Sequence, residues 1–196
     1  MIGSASKSGS RDNALNTRST SDIALAPVTL VLGGARSGKS AYAEALVSAL
    51  GDGLYLATAE AGDAEMTARI RAHRDRRGDR WTTVEEPLDL SGSLSRHARP
   101  GRPILVDCLT LWLANLLGAG MDIDEETAHL VEGLAGLAGP VVLVANEVGL
   151  GIVPDTPLGR AFRDHAGRLN QRVAAVADRV VFIAAGLPLV LKDGRS

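Results

Sequence analysis

The sequence predicts an α/β domain whose mostly parallel sheet carries helices on both faces. Short, continuous apolar runs alternate along the chain with longer segments in which apolar residues recur at helical spacing. A glycine-rich turn joins the first apolar run to the first helical segment. This alternation is typical of βαβ units, and the length of 196 residues suits one such domain.

The composition excludes several kinds of protein. With 21 Lys and Arg against 23 Asp and Glu the net charge is -2, whereas a protein that binds nucleic acid as its main partner is normally basic. The single cysteine rules out an intramolecular disulfide framework and a cysteine-based zinc site. No apolar run is long enough to span a membrane. We therefore expect a cytoplasmic protein with no nucleic-acid partner and no membrane span.

The chain divides into an N-terminal extension and one domain. Residues 1–26 are rich in Ser, Asn, Thr and Gly without apolar periodicity, so we predict a disordered extension there and a single domain over residues 27–196. Strands are predicted at residues 28–32, 54–58, 104–106, 141–144 and 180–183, with a short last strand at 189–191. Helices are predicted at residues 40–50, 64–75, 109–117, 125–137 and 158–177.

The turn after the first strand fits the phosphate-binding pattern G-x-x-x-x-G-K-[ST], with a strand before it and a helix after it. Its residues are Gly33, Gly34, Ala35, Arg36, Ser37, Gly38, Lys39 and Ser40. Glycines let successive N–H groups turn toward one anion, and the helix start adds its positive dipole end. Lys39 is expected to bridge the β- and γ-phosphates and Ser40 to bind Mg²⁺. The domain is therefore predicted to be a P-loop NTPase of the RecA-like type.

A carboxylate is expected to complete the Mg²⁺ site. The apolar run at residues 103–106 ends in Asp107, which is assigned to Mg²⁺ either directly or through water. The alternative is that Asp107 caps the helix that follows. Thr110, just beyond it, is a candidate for nucleotide contact or for the same cap. The nearest match to a guanine-specificity motif of switch GTPases starts at Asn146 and lacks its Lys and Asp, which weighs against a signalling switch.

A basic segment is the most distinctive part of the sequence. Between residues 69 and 80 six arginines and two aspartates surround His73. A neutral imidazole close to a bound triphosphate is a competent nucleophile toward phosphorus. The alternative is that the arginines form a solvated helix face and His73 is a surface residue.

The sequence resembles the bifunctional adenosylcobinamide kinase/adenosylcobinamide-phosphate guanylyltransferase family of cobalamin biosynthesis. The resemblance covers roughly residues 28 to 192. In the first half it is carried by the GGARSGKS loop, by Ala57-Thr58-Ala59, by Arg69-Ile70-x-x-His73-Arg74, by Trp81 and by Glu85-Glu86-Pro87. In the second half it is carried by the long run from Asn146 to Pro154, by Arg160, by Phe162-Arg163-Asp164 and by Gly167-Arg168-x-Asn170-Gln171.

The resemblance implies two reactions at one site. The first phosphorylates the aminopropanol hydroxyl of adenosylcobinamide, and the second transfers GMP from GTP to adenosylcobinamide phosphate through a His-GMP intermediate, placed at His73. It implies Mg²⁺, GTP with ATP as an alternative donor in the kinase step, and a homo-oligomer. We assign catalysis to His73 and Lys39 and expect nucleotide contacts outside the loop from Ala57, Thr58, Ala59, Arg74, Asp75, Arg76, Arg77, Glu85 and Thr110. The alternative for Glu85 is a carboxylate that faces solvent.

The residues allow alternatives for the acceptor site, for the nucleotide pose and for the function. Asn146 and Glu147 end a strand on the expected ligand side of the sheet and are candidates for the corrinoid site. A usual P-loop pose presents the γ-phosphorus, whereas guanylyl transfer needs attack at the α-phosphorus, so either GTP binds in two ways or the His73 segment moves. The alternative functions are a P-loop kinase of another small alcohol without guanylyl transfer, and a nucleotide-binding regulator without catalysis.

Overall fold

The computed structural model describes residues 25–59 and 80–194. Within them seven strands form one sheet in the order β3-β2-β4-β5-β1-β6-β7. The strands are β1 (Val28–Gly33), β2 (Gly53–Ala57), β3 (Trp81–Glu85), β4 (Ile104–Asp107), β5 (Val141–Asn146), β6 (Arg179–Ala184) and β7 (Leu187–Asp193). The first six strands are parallel and β7 pairs antiparallel with β6. The predicted α/β class and mostly parallel sheet are confirmed.

The central strands form because their residues are apolar on both faces. Every residue of β1 and of β2 is buried, as expected for strands covered by helices on both sides of a sheet. Two strand predictions need correction. No strand was predicted at β3, and the last strand is longer than residues 189–191 and closes a hairpin with β6.

Five helices connect the described strands: α1 (Lys39–Ser48), α2 (Leu90–His97), α3 (Leu109–Gly118), α4 (Ile123–Leu134) and α5 (Pro157–Val176). Side chains set several of their starts, since Asp122 Oδ1 accepts from two N–H groups at the start of α4 and Thr156 Oγ1 accepts from Gly159 N at the start of α5. Helix α4 begins and ends earlier in the chain than the predicted range of 125–137, and α2 was not predicted. The helix predicted at 64–75 lies outside the described residues.

The sheet separates two apolar clusters, which we name by the helices that cover them. Leu30 and Leu32 of β1 pack with α2, α3, α4 and α5 on the α5 face, whereas Val31 packs with Ala43 and Val47 of α1 on the α1 face. Helices on both faces, as predicted, are therefore confirmed. No described helix is long and apolar enough to cross a membrane.

The carboxyl edge of the sheet, where β1 to β6 end, is where a ligand site is expected. Adjacent strands β1 and β5 are followed by α1 and α5, which lie on opposite faces. Such a reversal leaves a crevice at the carboxyl ends of the two strands. Of the predicted extension, only Leu25 and Ala26 are described, and both pack against the domain.

Candidate active site

The predicted phosphate-binding turn lies between β1 and α1, and we call Gly33 to Ser40 the phosphate loop. Gly38 has a φ of 99° and Arg36 a φ of 57°, both in the left-handed region. A Cβ atom on Gly33 would lie 2.5 Å from Ser37 Oγ and 2.6 Å from the Ile183 carbonyl oxygen, so only glycine fits there. The eight predicted loop residues thus form one tight turn over the end of β1.

The hairpin formed by β6 and β7 supports this loop from outside. Its two-residue turn, Ala185 and Gly186, has positive φ at both positions, the geometry of a type I′ turn. Gly186 N donates to Ser37 O at 2.8 Å. A Cβ atom on Gly38 would lie 3.3 Å from Gly186 Cα, so the two turns are nearly in contact. The loop is therefore held by a part of the chain that follows it by about 150 residues.

The first turn of α1 faces the loop with its positive end. Helices α2, α4 and α5 begin with a side-chain cap, whereas the N-cap of α1 is Gly38, which offers none. The first N–H groups of α1 are therefore open to an anion. Lys39 Nζ donates to Gly34 O at 3.1 Å, so its ammonium lies along the loop, where a phosphate would compete for it.

Asp107 is the last residue of β4, on the carboxyl edge. Leu105 faces α1, so strand alternation directs Asp107 to the α1 face as well, and α1 packs against β4 and β5. Its Oδ2 accepts a hydrogen bond from Tyr55 Oη at 3.1 Å. The alternative role as a helix cap does not hold, because the N-cap of α3 is Cys108.

The segment after β2 is tied to the segment after β4. Thr58 Oγ1 donates to Cys108 O at 2.7 Å and accepts from Cys108 N at 2.8 Å, and Thr58 is fully buried. Asn115 Nδ2 donates to Thr58 O at 2.7 Å and to Pro87 O at 3.1 Å. These bonds fix the Ala57 to Ala59 segment beside Asp107. Its proposed nucleotide contacts would have to use groups other than the Thr58 hydroxyl.

The buried thiol of Cys108, beside Asp107, is expected to be a poor nucleophile. Burial, with a smaller contribution from the Asp107 carboxylate, raises the pKa of the Cys108 thiol to about 11. Lys39 acts in the opposite direction, because its positive charge favours the thiolate. A neutral thiol is a poor nucleophile, so Cys108 contributes packing and not chemistry.

The remaining predicted residues are placed as follows. Thr110 Oγ1 accepts a hydrogen bond from Asn146 N at 2.7 Å, so its hydroxyl joins the start of α3 to the end of β5 and does not cap the helix. Glu85 is exposed at the carboxyl end of β3, whereas its neighbour Glu86 accepts from the N–H groups of Leu88 and Asp89. The predicted residues outside the described ranges are His73, Arg74, Asp75, Arg76 and Arg77.

The donor set suits a hard cation that is shared with a nucleotide. Across residues 25–59 and 80–194, no three His, Cys, Asp or Glu side chains come together as a ready-made metal site. The site instead offers the carboxylate of Asp107 and the hydroxyl of Ser40. Mg²⁺ is commonly held by one or two protein oxygens together with phosphate oxygens, so these residues fit Mg²⁺.

Two residues of the site were missed by sequence analysis. Tyr55 holds the Asp107 carboxylate and packs edge-on against Trp81 at a centroid distance of 6.2 Å, and Asn115 joins two loops of the carboxyl edge. Their only signal in the sequence is a polar group within an apolar strand or helix.

Comparison with known proteins identifies close relatives. A family model described as cobinamide kinase/cobinamide phosphate guanyltransferase matches residues 29–191. The chain is 51% identical over 166 residues to the bifunctional adenosylcobalamin biosynthesis protein CobP of Pseudomonas aeruginosa, covering 83% of this chain and 96% of that protein. It is 41% identical over 178 residues to the bifunctional adenosylcobalamin biosynthesis protein CobU of Escherichia coli, covering 83% and 98%.

Solved structures support the fold independently. The flagellar accessory protein FlaH of Methanocaldococcus jannaschii superposes with a TM-score of 0.50 over 86% of this chain and 79% of that chain, at 11% identity. So low an identity bears on the fold alone, and the fold of the described residues is that of a P-loop NTPase.

Proposed function

This chain belongs to the cobinamide kinase/cobinamide phosphate guanyltransferase family, and from that premise we propose that its single phosphate loop serves both reactions of a bifunctional enzyme. The observation that carries the proposal is the meeting of the phosphate loop and Asp107 on one face of the carboxyl edge. Adenosylcobinamide and adenosylcobinamide phosphate are the proposed acceptors. GTP is the proposed nucleotide, with ATP as an alternative in the kinase step.

In the kinase reaction the chain neutralises and orients the triphosphate. The N–H groups of the loop and of the first turn of α1 surround the β-phosphate, and Lys39 leaves Gly34 O to bridge the β- and γ-phosphates. Ser40 and Asp107 would hold Mg²⁺, whose charge would help to neutralise the triphosphate. The aminopropanol hydroxyl attacks the γ-phosphorus, its proton passes to solvent, and the nucleoside diphosphate leaves. Little covalent chemistry is needed from the protein, since positioning and electrostatics supply most of the rate.

In the guanylyl reaction we assign the nucleophile to His73. A ring nitrogen attacks the α-phosphorus of GTP and pyrophosphate leaves; a phosphate oxygen of adenosylcobinamide phosphate then attacks the same phosphorus, and the imidazole leaves. The support is the family membership and the position of Ala59, the last described residue before the segment that contains His73. Ala59 follows β2 at the carboxyl edge, next to β4 and its Asp107. Arg74, Asp75, Arg76, Arg77 and Glu85 are proposed to contact the same nucleotide.

Labelled nucleotide tests the guanylyl reaction. GTP labelled in the α-phosphate should leave label on the wild-type protein that is lost in acid and retained in alkali, as expected for a phosphoramidate. His73→Ala should retain no label and keep much of its kinase activity. His129→Ala, which changes an exposed histidine of α4, is the matched control and should label normally. Labelling that survives in His73→Ala would contradict the assignment, and absence of label from every protein would favour a simple kinase.

The phosphate loop is tested by its lysine. Lys39→Ala should weaken GTP binding and lower both activities, because the loop loses its mobile positive charge. The matched control is Lys192→Ala, since Lys192 Nζ donates only to carbonyl groups at the end of α5 in the described contacts. Equal binding by the two variants, measured by calorimetry, would argue against the loop as the nucleotide site.

The assembly is proposed to be a homo-oligomer. All seven residues of β7 are exposed, although the strand contains Leu187, Leu189, Val190 and Leu191. An apolar edge strand of this length invites pairing with another chain, and a second copy is the occupant we propose. A cytoplasmic location stays a prediction.

A further inference from the structure

Asn146, at the carboxyl edge, has a backbone that is held on both sides and a side-chain oxygen without a hydrogen-bond partner among the described residues. Asn146 ends β5, and side chains from two helices hold its backbone. Thr110 Oγ1 accepts from Asn146 N at 2.7 Å, and Asn170 Nδ2 donates to Asn146 O at 3.3 Å. The backbone of Asn146 is thus braced from α3 and from α5, which fixes where its side chain starts.

Strand alternation gives the direction of that side chain. Val142 and Val144 of β5 belong to the cluster on the α1 face, and Leu143 and Ala145 to the cluster on the α5 face. As the next residue of the same strand, Asn146 points to the α1 face. This is the face that carries the phosphate loop and Asp107.

The register places Asn146 between those two features. Gly33, the first residue of the phosphate loop, pairs with Asn146, and β5 separates β1 from β4 and its terminal Asp107. Asn146 therefore lies in the crevice between adjacent strands whose helices diverge to opposite faces. A nucleotide bound to the phosphate loop would therefore lie next to Asn146.

The side-chain oxygen of Asn146 is buried and finds no hydrogen-bond partner among the described residues. A buried polar atom without a partner destabilises the fold, because it loses its hydrogen bonds to water and forms none with the protein. Each such atom in a native structure therefore needs an explanation. A ligand that supplies the missing hydrogen bond is an explanation consistent with the position. An amide oxygen only accepts, so the ligand group must be a donor, and ionised phosphate oxygens are not.

We propose that Asn146 is a ligand-binding residue whose side-chain oxygen accepts a hydrogen bond from an O–H group held between the phosphate loop and Asp107. The inference rests on the proposed function, which supplies two such groups: a water molecule on nucleotide-bound Mg²⁺, and the alcohol that accepts the phosphoryl group. In either case the amide orients the O–H group and takes no proton.

The test compares Asn146→Ala with Ser93→Ala, a matched control that also removes a buried oxygen without a partner among the described residues, in α2 on the α5 face. Both changes are made in the His73→Ala background, so that no covalent transfer disturbs binding. We measure GTP affinity with Mg²⁺ and with EDTA, and adenosylcobinamide affinity at saturating nucleotide. Asn146→Ala should weaken one of these affinities about ten-fold, the usual worth of one hydrogen bond, and Ser93→Ala none.

The measurements of GTP affinity and of adenosylcobinamide affinity distinguish the two sources of the O–H group. A loss seen for GTP with Mg²⁺ and not with EDTA assigns the hydrogen bond to a metal-bound water, and a loss confined to adenosylcobinamide assigns it to the alcohol. Unchanged affinities overturn the proposal. So does a loss of GTP affinity in Asn146→Ala that is equally large with Mg²⁺ and with EDTA, because that pattern means the amide nitrogen donates to phosphate.

Two further outcomes keep the inference separate from the proposed function. If the wild-type protein fails to bind adenosylcobinamide, the proposed function fails, and the GTP arm with and without Mg²⁺ still decides the role of Asn146. If Asn146→Ala does not fold, Asn146→Ser replaces it, because serine keeps the position polar and its shorter side chain still withdraws the acceptor from the crevice.

Discussion

At the scale of single residues, Cys108 gives a stability signal that can be measured directly. Burial and the Asp107 carboxylate raise its pKa from 9.0 to about 11. Between these values the unfolded chain releases the thiol proton and the folded chain keeps it. The free energy of unfolding should therefore be unaffected by this group below pH 9 and fall by about 1.4 kcal/mol per pH unit up to about pH 11. Denaturant titrations across this range measure the fall.

Other groups also titrate at alkaline pH, so the prediction concerns the difference between wild type and Cys108→Ala. The variant lacks the thiol and should lose less stability between pH 9 and 11. Parallel curves for the two proteins would contradict the raised pKa. Because this is the only cysteine of the chain, alkylation by iodoacetamide offers a second measurement, and it should be slow at pH 8 until denaturant is added.

Whether a residue of the site could be predicted depends on how far away in the sequence its contact partner lies. Lys39 and Asp107 can be assigned from the sequence, because each lies in a short motif that follows an apolar run. The pattern that identifies them is therefore local. Tyr55 and its partner Asp107 are 52 residues apart, and Thr110 and Asn146 are 36 apart. Those contacts depend on which strands are neighbours, and a single sequence does not contain the strand order.

At the scale of elements, the hairpin of β6 and β7 is predicted to control the phosphate loop from outside. Gly186→Ala introduces a side chain at a φ of 79°, which costs about 1–2 kcal/mol or shifts the turn. A shift of the turn disturbs the hydrogen bond from Gly186 N to Ser37 O. GTP should therefore bind several-fold more weakly, although Gly186 lies outside the loop. Calorimetric titration measures the affinity, and thermal unfolding measures the stability.

Gly120→Ala provides the matched control for that variant. Gly120 has a φ of 68° and, like Gly186, open space around its added Cβ. It follows α3, away from the loop. The two variants should lose similar stability while only Gly186→Ala loses GTP affinity. Equal loss of affinity in both would mean that the effect is global destabilisation and not support of the loop.

The elements that sequence analysis missed share a physical reason. Strand β3, Trp81–Glu85, is an edge strand with two exposed and three half-buried residues, so it lacks a continuous apolar run. Helix α2, Leu90–His97, contains a glycine and three serines, which favour turns over helix. Its stability comes instead from Asp89, which caps Gly92 N, and from burial of Leu90 and Leu94. Packing, which local patterns do not reveal, decides both elements.

At the scale of the whole molecule, the order of the strands explains why the candidate site residues lie together at one edge of the sheet. The strand of the phosphate loop, β1, lies two places from β4, with β5 between them. The two strands are therefore about 10 Å apart across the sheet, enough for phosphates and a cation to fit between the loop and the carboxylate. The same arrangement leaves the far edge to β7, which has no described neighbour beyond it.

The exposed apolar strand β7 is predicted to be the contact between copies of the chain. Leu189 lies 59% exposed on β7, opposite Phe182 of β6, in a strand whose seven residues are all exposed. If a second copy covers this strand, Leu189→Lys places a charge in the contact and should convert the oligomer to monomers, as measured by sedimentation velocity at micromolar concentration. Leu50→Lys, at an exposed leucine just beyond α1, is the matched control and should leave the assembly intact. A monomeric wild-type protein, or an oligomer that survives Leu189→Lys, would mean that β7 is not the contact between copies, and its apolar side chains would then lack the burial that their type predicts.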